Sequence, residues 1–240
     1  MQIPASPVDC TNFLLAHLPE NEYRALKPHL EFIPTPIHFN FYRRDERIDY
    51  VYFPLSGEHS VLAVMEDGSS VEVGTIGSEG FSTIDVLTGS NRSLETVVCQ
   101  IAGASLRLPL SVFREAMQTE TVLGRLAYCY LRAYLAQVSQ SVACNRLHTT
   151  EERFAKWMLM SHDRVPGDEI RITQEYLATM LGVHRPTVSL IARDFQRLGL
   201  IKYTRGVITI ADREGMEEAS CECYSAVRKQ FERALGIPMA

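Results

Sequence analysis

Apolar positions recur with two different periods along the chain, and the change of period divides it. Between residues 50 and 108 they fall in short runs rich in β-branched and aromatic side chains, at 50–53, 60–65, 71–76, 96–101 and 105–108, with turn formers such as Asp67-Gly68 between them. Runs of that length and spacing predict the strands of an antiparallel sandwich or barrel. Helical pieces are predicted beside them at 11–18, 20–27 and 110–117. Beyond Gly124 the period lengthens, and Ala127, Leu131, Tyr134, Val138 and, less regularly, Ser141 follow one another at alternating steps of four and three. This is the period of a coiled-coil seam. Leu126, Tyr130 and Leu135 widen the stripe enough to pack on the strands as well, so a long core helix is the alternative.

Two shorter helical patterns follow. In "TQEYLATMLG", Thr173 is an N-cap, Gln174 and Glu175 occupy the first turn, Leu177, Met180 and Leu181 are apolar, and Gly182 ends the helix. In "VHRPTVSLIARDFQRLG", His184 is the N-cap and Pro186 falls in the first turn, where its missing N–H costs nothing. Val188, Ile191, Phe195 and Leu198 form the apolar stripe, while Arg185, Ser189, Arg193 and Gln196 line another face. Two helices joined through a short glycine-containing turn are the helix-turn-helix unit, whose second helix enters the DNA major groove. Runs at 200–203 and 207–210 around Thr204-Arg205-Gly206 predict a hairpin, the wing of such a domain. A helical pair inside an ordinary core is the competing reading. After the wing one more amphipathic helix is predicted, with Met216, Ala219, Cys223, Val227 and Leu235 near one side.

Charge favours the DNA reading. The 240-residue chain carries a net charge of -5, yet between His184 and Arg205 the basic Arg185, Arg193, Arg197, Lys202 and Arg205 face only Asp194. A basic patch on an acidic protein is the electrostatic footprint of a nucleic-acid surface. At 46% hydrophobic content the length suits two modest domains, and no apolar run approaches the ~18 residues of a membrane helix. The first twenty residues lack a basic stretch followed by an apolar one, so a cytoplasmic location without membrane contact is expected, and with it reduced cysteines.

Candidate metal chemistry is thin at this level. Cys10, Cys99, Cys129 and Cys144 stand singly, only Cys221 and Cys223 are close in sequence, and His17, His29, His38, His59, His148, His162 and His184 show no ligand spacing. The expectation is scattered core thiols, no metal and no cofactor, although a haem needs only one histidine. Serine-hydrolase, phosphate-loop, metalloprotease and dinucleotide signatures are all missing from the sequence, so no enzyme is expected.

The residues Thr173-Gln174, Leu177-Ala178, Leu181-Gly182, Arg185, Thr187-Val188-Ser189, Leu198 and Leu200-Ile201 resemble the DNA-binding domain of the CRP/FNR transcription regulators. The resemblance implies that Arg185 reads a guanine, that the protein binds an inverted repeat in double-stranded DNA as a homodimer, and that RNA polymerase is a partner. Pro186 and Leu190 stand where relatives have a base-reading glutamate and a second arginine, so a different base preference is expected. A weaker resemblance, at "PLSGE", implies a cyclic-nucleotide-binding-like β-roll at the N-terminus. When Gly77 is aligned with the phosphate cassette of such rolls, Arg92-Ser93 fall on its arginine and serine but Phe81-Ser82 replace Gly-Glu. Cyclic AMP is therefore not expected. Arg92, Ser93, Phe81 and Ser82 remain candidates for another anion's pocket, with Arg92 as a solvated loop residue the alternative, and the effector is unknown.

The expected architecture is α+β: an antiparallel β-roll (jelly roll) sensor over residues 1–118, a dimerisation helix and hinge over 119–147, and a winged helix-turn-helix with an extra C-terminal helix over 148–240. The expected DNA-binding residues are Thr173, Gln174, His184, Arg185, Pro186, Thr187, Ser189, Arg193, Lys202 and Arg205, and the expected dimer contacts Ala127, Leu131, Tyr134 and Val138. A cyclic-nucleotide-type or haem-type sensor acting through a protein partner is the rival function.

Overall fold

The computed structural model describes residues 3–117 and 120–236. Contacts divide the chain into two compact units, one holding residues up to Leu62 with Thr75–Tyr134, the other holding Ala63–Gly74 and everything from Leu135 onward.

Helices α1 (Phe13–Ala16) and α2 (Glu20–Leu26) precede strands β1 (Glu31–Thr35), β2 (Asn40–Tyr42), β3 (Tyr50–Val64), β4 (Ser70–Ile76) and β5 (Thr96–Pro109), and α3 (Leu110–Ala116) follows, with the hairpin end of β3 and β4 counted in the second unit. The sheet order is β1-β5-β3-β4 with β2 also on β5. The sequence predicts separate strands at 96–101 and 105–108, and at 50–53 and 60–65, whereas β3 and β5 are each continuous. They pair antiparallel from Tyr50↔Pro109 to Leu62↔Thr96, and register shifts between Pro54 and His59 mark a bulge that bends the ribbon without ending it. A bulge explains why the apolar pattern breaks where the strand does not. The core is aromatic: Phe81 packs against Phe53, Phe113 and Tyr130 with centroids 5.9, 5.3 and 5.3 Å away.

Helix α4 (Val122–Leu147) runs unbroken for 26 residues and contributes to both units. It stops before Thr149, the N-cap of α5 (Thr150–His162), where the Thr149 hydroxyl accepts from the Glu152 N–H and the Glu152 carboxylate accepts from the Thr149 N–H at 2.7 Å. This reciprocal capping box begins a new helix.

The second unit continues through β6 (Glu169–Arg171), α6 (Gln174–Leu181), α7 (Arg185–Arg197), β7 (Ile201–Thr204), β8 (Val207–Ile210), α8 (Arg213–Ala219) and α9 (Cys223–Leu235). Strand β6, too short to show a period, completes a β6-β8-β7 sheet through Ile170↔Ile208. Phe154, Met158, Leu177, Val188, Ile208 and Met216 are fully buried and form the core. The helix predicted after the wing is two helices. Ser220 adopts an extended conformation and its hydroxyl donates to the Glu217 carbonyl at 2.8 Å, satisfying one end of α8 before α9 starts.

Candidate nucleic-acid interface

The two helices α6 and α7 are set by local chemistry. Thr173 caps α6, its Oγ1 accepting from the Tyr176 N–H at 3.2 Å. Gly182 then turns the chain with φ of 63°, a left-handed conformation that a side chain would strain. His184 is the extended N-cap of α7 and Pro186 lies in its first turn, as the sequence predicts. Val188, Ile191, Ala192 and Phe195 are buried, with the Phe195 ring edge-on to Phe154 at 5.2 Å. Leu198 is 66% exposed instead of completing the stripe, because α7 ends at Arg197 and Leu198 is its C-cap.

The other face of α7 is the basic one. Arg185, Pro186, Arg193 and Arg197 are exposed, with His184 and Thr173 exposed beside them and Gln174, Thr187 and Ser189 half-buried. Lys202 and Arg205 are exposed on the wing, Arg205 in its turn with φ of 50°. All five basic side chains of this stretch therefore reach solvent. Three polar residues also brace the scaffold. Ser189 donates to Gln174 Oε1 at 2.7 Å, tying α7 to α6, and Gln196 Oε1 accepts from the Tyr203 N–H at 2.9 Å, tying α7 to the wing. Burial pushes the Tyr203 phenol up, against the lowering effects of a bond to the Gln174 backbone and of the Arg185 charge.

A cleft of about 600 Å³ opens beside the N-terminus of α7. His184, Arg185, Gly182 and Glu175 line it together with Gly68 and Val71 from the β3–β4 hairpin. Trp157 Nε1 donates to Glu72 Oε1 at 3.0 Å from the same hairpin. Eighty-five positions separate Trp157 from Glu72, so no local pattern announces their meeting.

The residues of the candidate effector pocket lie in different surroundings. Phe81 is wholly buried in the aromatic core, and Ser82 is buried with its Oγ 2.6 Å from His59 Nδ1. Arg92 is exposed, its guanidinium donating to the Asp45 carbonyl at 2.6 Å, and Ser93 Oγ donates to the Glu95 carbonyl at 2.8 Å. On α4, Ala127 and Tyr134 are buried within the chain and Leu131 and Val138 are half-buried. The exposed large apolar side chains of α4 include Tyr128, Leu135 and Val142, at 49%, 51% and 68%, and Leu147 at its end.

The fold also gathers what the sequence leaves scattered. Ligand atoms of Cys144, His148, Cys221 and Cys223 all lie within 4.8 Å of one another. A hydrogen bond from Cys221 holds the Cys144 thiol down at about 5, and that bond together with burial pushes Cys221 up. Cys10 and Cys99 remain separate buried thiols.

Comparison with known proteins agrees with this geometry. Residues 152–219 match the family of Crp-like helix-turn-helix domains. Among solved structures, a transcriptional regulator of the CRP/FNR family from Eubacterium rectale superposes with a TM-score of 0.66 at 17% identity, covering 86% of this chain and 96% of that one. FixK2 from Bradyrhizobium japonicum gives 0.68 at 15% identity, covering 80% and 98%. The c-di-GMP-responsive global regulator CLP of Xanthomonas campestris gives 0.63 at 15% identity, covering 80% and 99%. A comparison of the sequence with curated proteins finds no match.

Proposed function

We propose, for a chain that carries a Crp-like helix-turn-helix domain and has the fold of the CRP/FNR regulators, that it binds an inverted-repeat operator as a homodimer and regulates transcription. The observation that carries this reading is the division of α7: an apolar side buried in the domain, and a basic side that projects into solvent next to a basic wing. Arg185, at the first turn of α7, is placed to donate two hydrogen bonds to a guanine edge. Pro186, Thr187, Ser189 and Arg193 share its helix, while Thr173, Gln174, His184, Lys202 and Arg205 face phosphates and set the docking angle. Two such helices, related by a two-fold axis, would enter successive major grooves about 34 Å apart.

Control is assigned to the β-roll. The turn of the β3–β4 hairpin belongs to the same compact unit as the reading helix, so a change along those strands can reach His184 and Arg185 without a separate linker. A differential stabilisation of about 1–3 kcal/mol suffices for such coupling. Cyclic AMP is not the effector in this reading, because a buried phenylalanine occupies the position of the cassette glycine and Ser82 is engaged with His59. RNA polymerase is the partner such a role implies, and no catalytic activity is proposed.

The test is binding of labelled genomic fragments across a salt series. Arg185→Ala should lose about 1–3 kcal/mol of discrimination between operator and competitor DNA. Lys202→Ala and Arg205→Ala should weaken binding to every sequence alike and each lower the salt slope by about 1. Unchanged binding in all three variants would remove α7 and the wing as the reading surface.

A further inference from the structure

The strongest unexplained feature of the molecule is the group of donors at the junction of α4, α5 and the α8–α9 turn. Cys144 lies one helical turn before His148, whose N–H bonds back to the Cys144 carbonyl at 3.1 Å, so both side chains leave the same face of the chain. Cys221 and Cys223 flank the start of α9 and approach from the other side. Cys144, Cys221 and Cys223 form a buried cluster of their own, at 0%, 4% and 0% exposure.

The distances are informative. Cys144 Sγ is 3.6 Å from Cys221 Sγ, and Cys223 Sγ is 3.5 Å from His148 Nδ1. Metal–sulfur bonds of about 2.3 Å and metal–nitrogen bonds of about 2.0–2.1 Å at tetrahedral angles put sulfurs about 3.8 Å apart and a sulfur about 3.5 Å from a nitrogen. These two edges match those of a tetrahedron around one ion, and the remaining ligand atoms lie within 4.8 Å of one another. The surrounding groups point the same way. Glu222 Oε2 lies 3.1 Å from His148 Nε2 and so directs Nδ1 toward the sulfurs, while Gln140 Nε2 donates to Cys223 Sγ at 3.0 Å. A carboxylate behind a histidine and an amide donor on a thiolate are the usual outer supports of a metal site.

We propose that Cys144, His148, Cys221 and Cys223 bind one zinc ion in a closed Cys3His site that clasps the start of α9 to the end of α4. Zinc is favoured by the donor set, since thiolates with an imidazole in tetrahedral array suit it, and hard cations such as calcium or magnesium take oxygen ligands. A [4Fe–4S] cluster, by contrast, places its four thiolates on different irons, farther apart than this group allows. Zinc is held by three thiolates and a neutral imidazole, so binding releases to solvent whatever protons Cys221, Cys223 and the other ligands still carry, and the resulting net charge of the site is offset in part by Lys156, whose charge acts on Cys144. With four protein ligands there is no open position for substrate, so the role is structural. Cys144 lies in the last turns of α4 and His148 is the first of the two residues that join α4 to α5, so the ion pins that end of α4 and holds the C-terminal helix in place.

The experiment uses the full chain, purified anaerobically with reductant, and reads metal directly. Elemental analysis should find one zinc per chain, and X-ray absorption should show three sulfur and one nitrogen neighbours. Replacement by cobalt should give the visible bands of a tetrahedral site and thiolate-to-cobalt charge transfer. Cys223→Ser should lose the metal, Cys129→Ser should keep it, and Glu222→Gln should weaken zinc binding by about 10-fold in a chelator competition. The cobalt titration of the unaltered chain decides independently of whether Cys223→Ser folds. No charge-transfer band, an oxygen-rich ligand shell, several irons per chain with sulfide, or a Cys144–Cys221 disulfide in the reduced preparation would each overturn the proposal.

Discussion

Gly80 has no room for a methyl group. A Cβ built there would sit 2.0 Å from Tyr130 Cε2, in the middle of a ring that is itself fully buried. The ring cannot swing away, because Phe81 and Tyr134 flank it with centroids at 5.3 and 6.1 Å. Gly80→Ala should therefore cost about 1–3 kcal/mol, and Gly80→Ala with Tyr130→Ala should cost less than the sum of the two single changes; urea unfolding of the four proteins measures both. At this scale the sequence was informative where chemistry is local. His184 and Pro186 announce the start of α7, and Thr173 with Gly182 bounds α6, since caps and left-handed turns depend on a few adjacent residues. It was uninformative about Gly80, whose constraint comes from a tyrosine fifty positions away.

At the scale of elements, the break between α4 and α5 rests on the Thr149–Glu152 box. Thr149→Ala should destabilise the second unit by about 1 kcal/mol in urea unfolding at neutral pH. The Thr149 N–H and hydroxyl hold the Glu152 carboxyl below its ordinary value. A depressed carboxyl contributes stability above its unfolded pKa, near 4.3 for glutamate as a rough reference, and loses it as the pH falls through the lower folded value. The stability gap between Thr149→Ala and the unaltered protein should accordingly narrow on acidification, and a gap independent of pH would assign the cap to the hydroxyl alone. The periodic signal located α4 and α7 because amphipathic helices of 26 and 13 residues repeat their pattern several times. Short strands such as β1, β2 and β6 repeat it too few times, and they exist because a neighbouring strand supplies their hydrogen bonds.

For the whole molecule, the decisive surface is the one α4 leaves uncovered. Tyr128, Leu135 and Val142 are exposed at steps of seven, with half-buried Leu131 and Val138 between them. That is a heptad seam one position away from the predicted one, whose Ala127 and Tyr134 are spent inside the chain. The homodimer proposed above would use this stripe. Leu135→Glu with Val142→Glu should convert a dimer into a monomer in sedimentation and reduce operator affinity, while circular dichroism stays unchanged, since both side chains are more than half exposed in their own chain. A variant that remains dimeric would place the interface elsewhere.

What the sequence determined alone is everything that repeats or caps over a few residues: the strand-rich first half, the long helix, the helix-turn-helix and its wing, and the basic face of α7. Helix and turn propensities act between neighbours, so they can be read from neighbours. Only tertiary structure decided which stripe of α4 stays open and that Cys144 meets Cys221 across 77 positions. Periodicity says that a side is apolar but not what will cover it, and close approach between distant residues depends on how the elements between them pack.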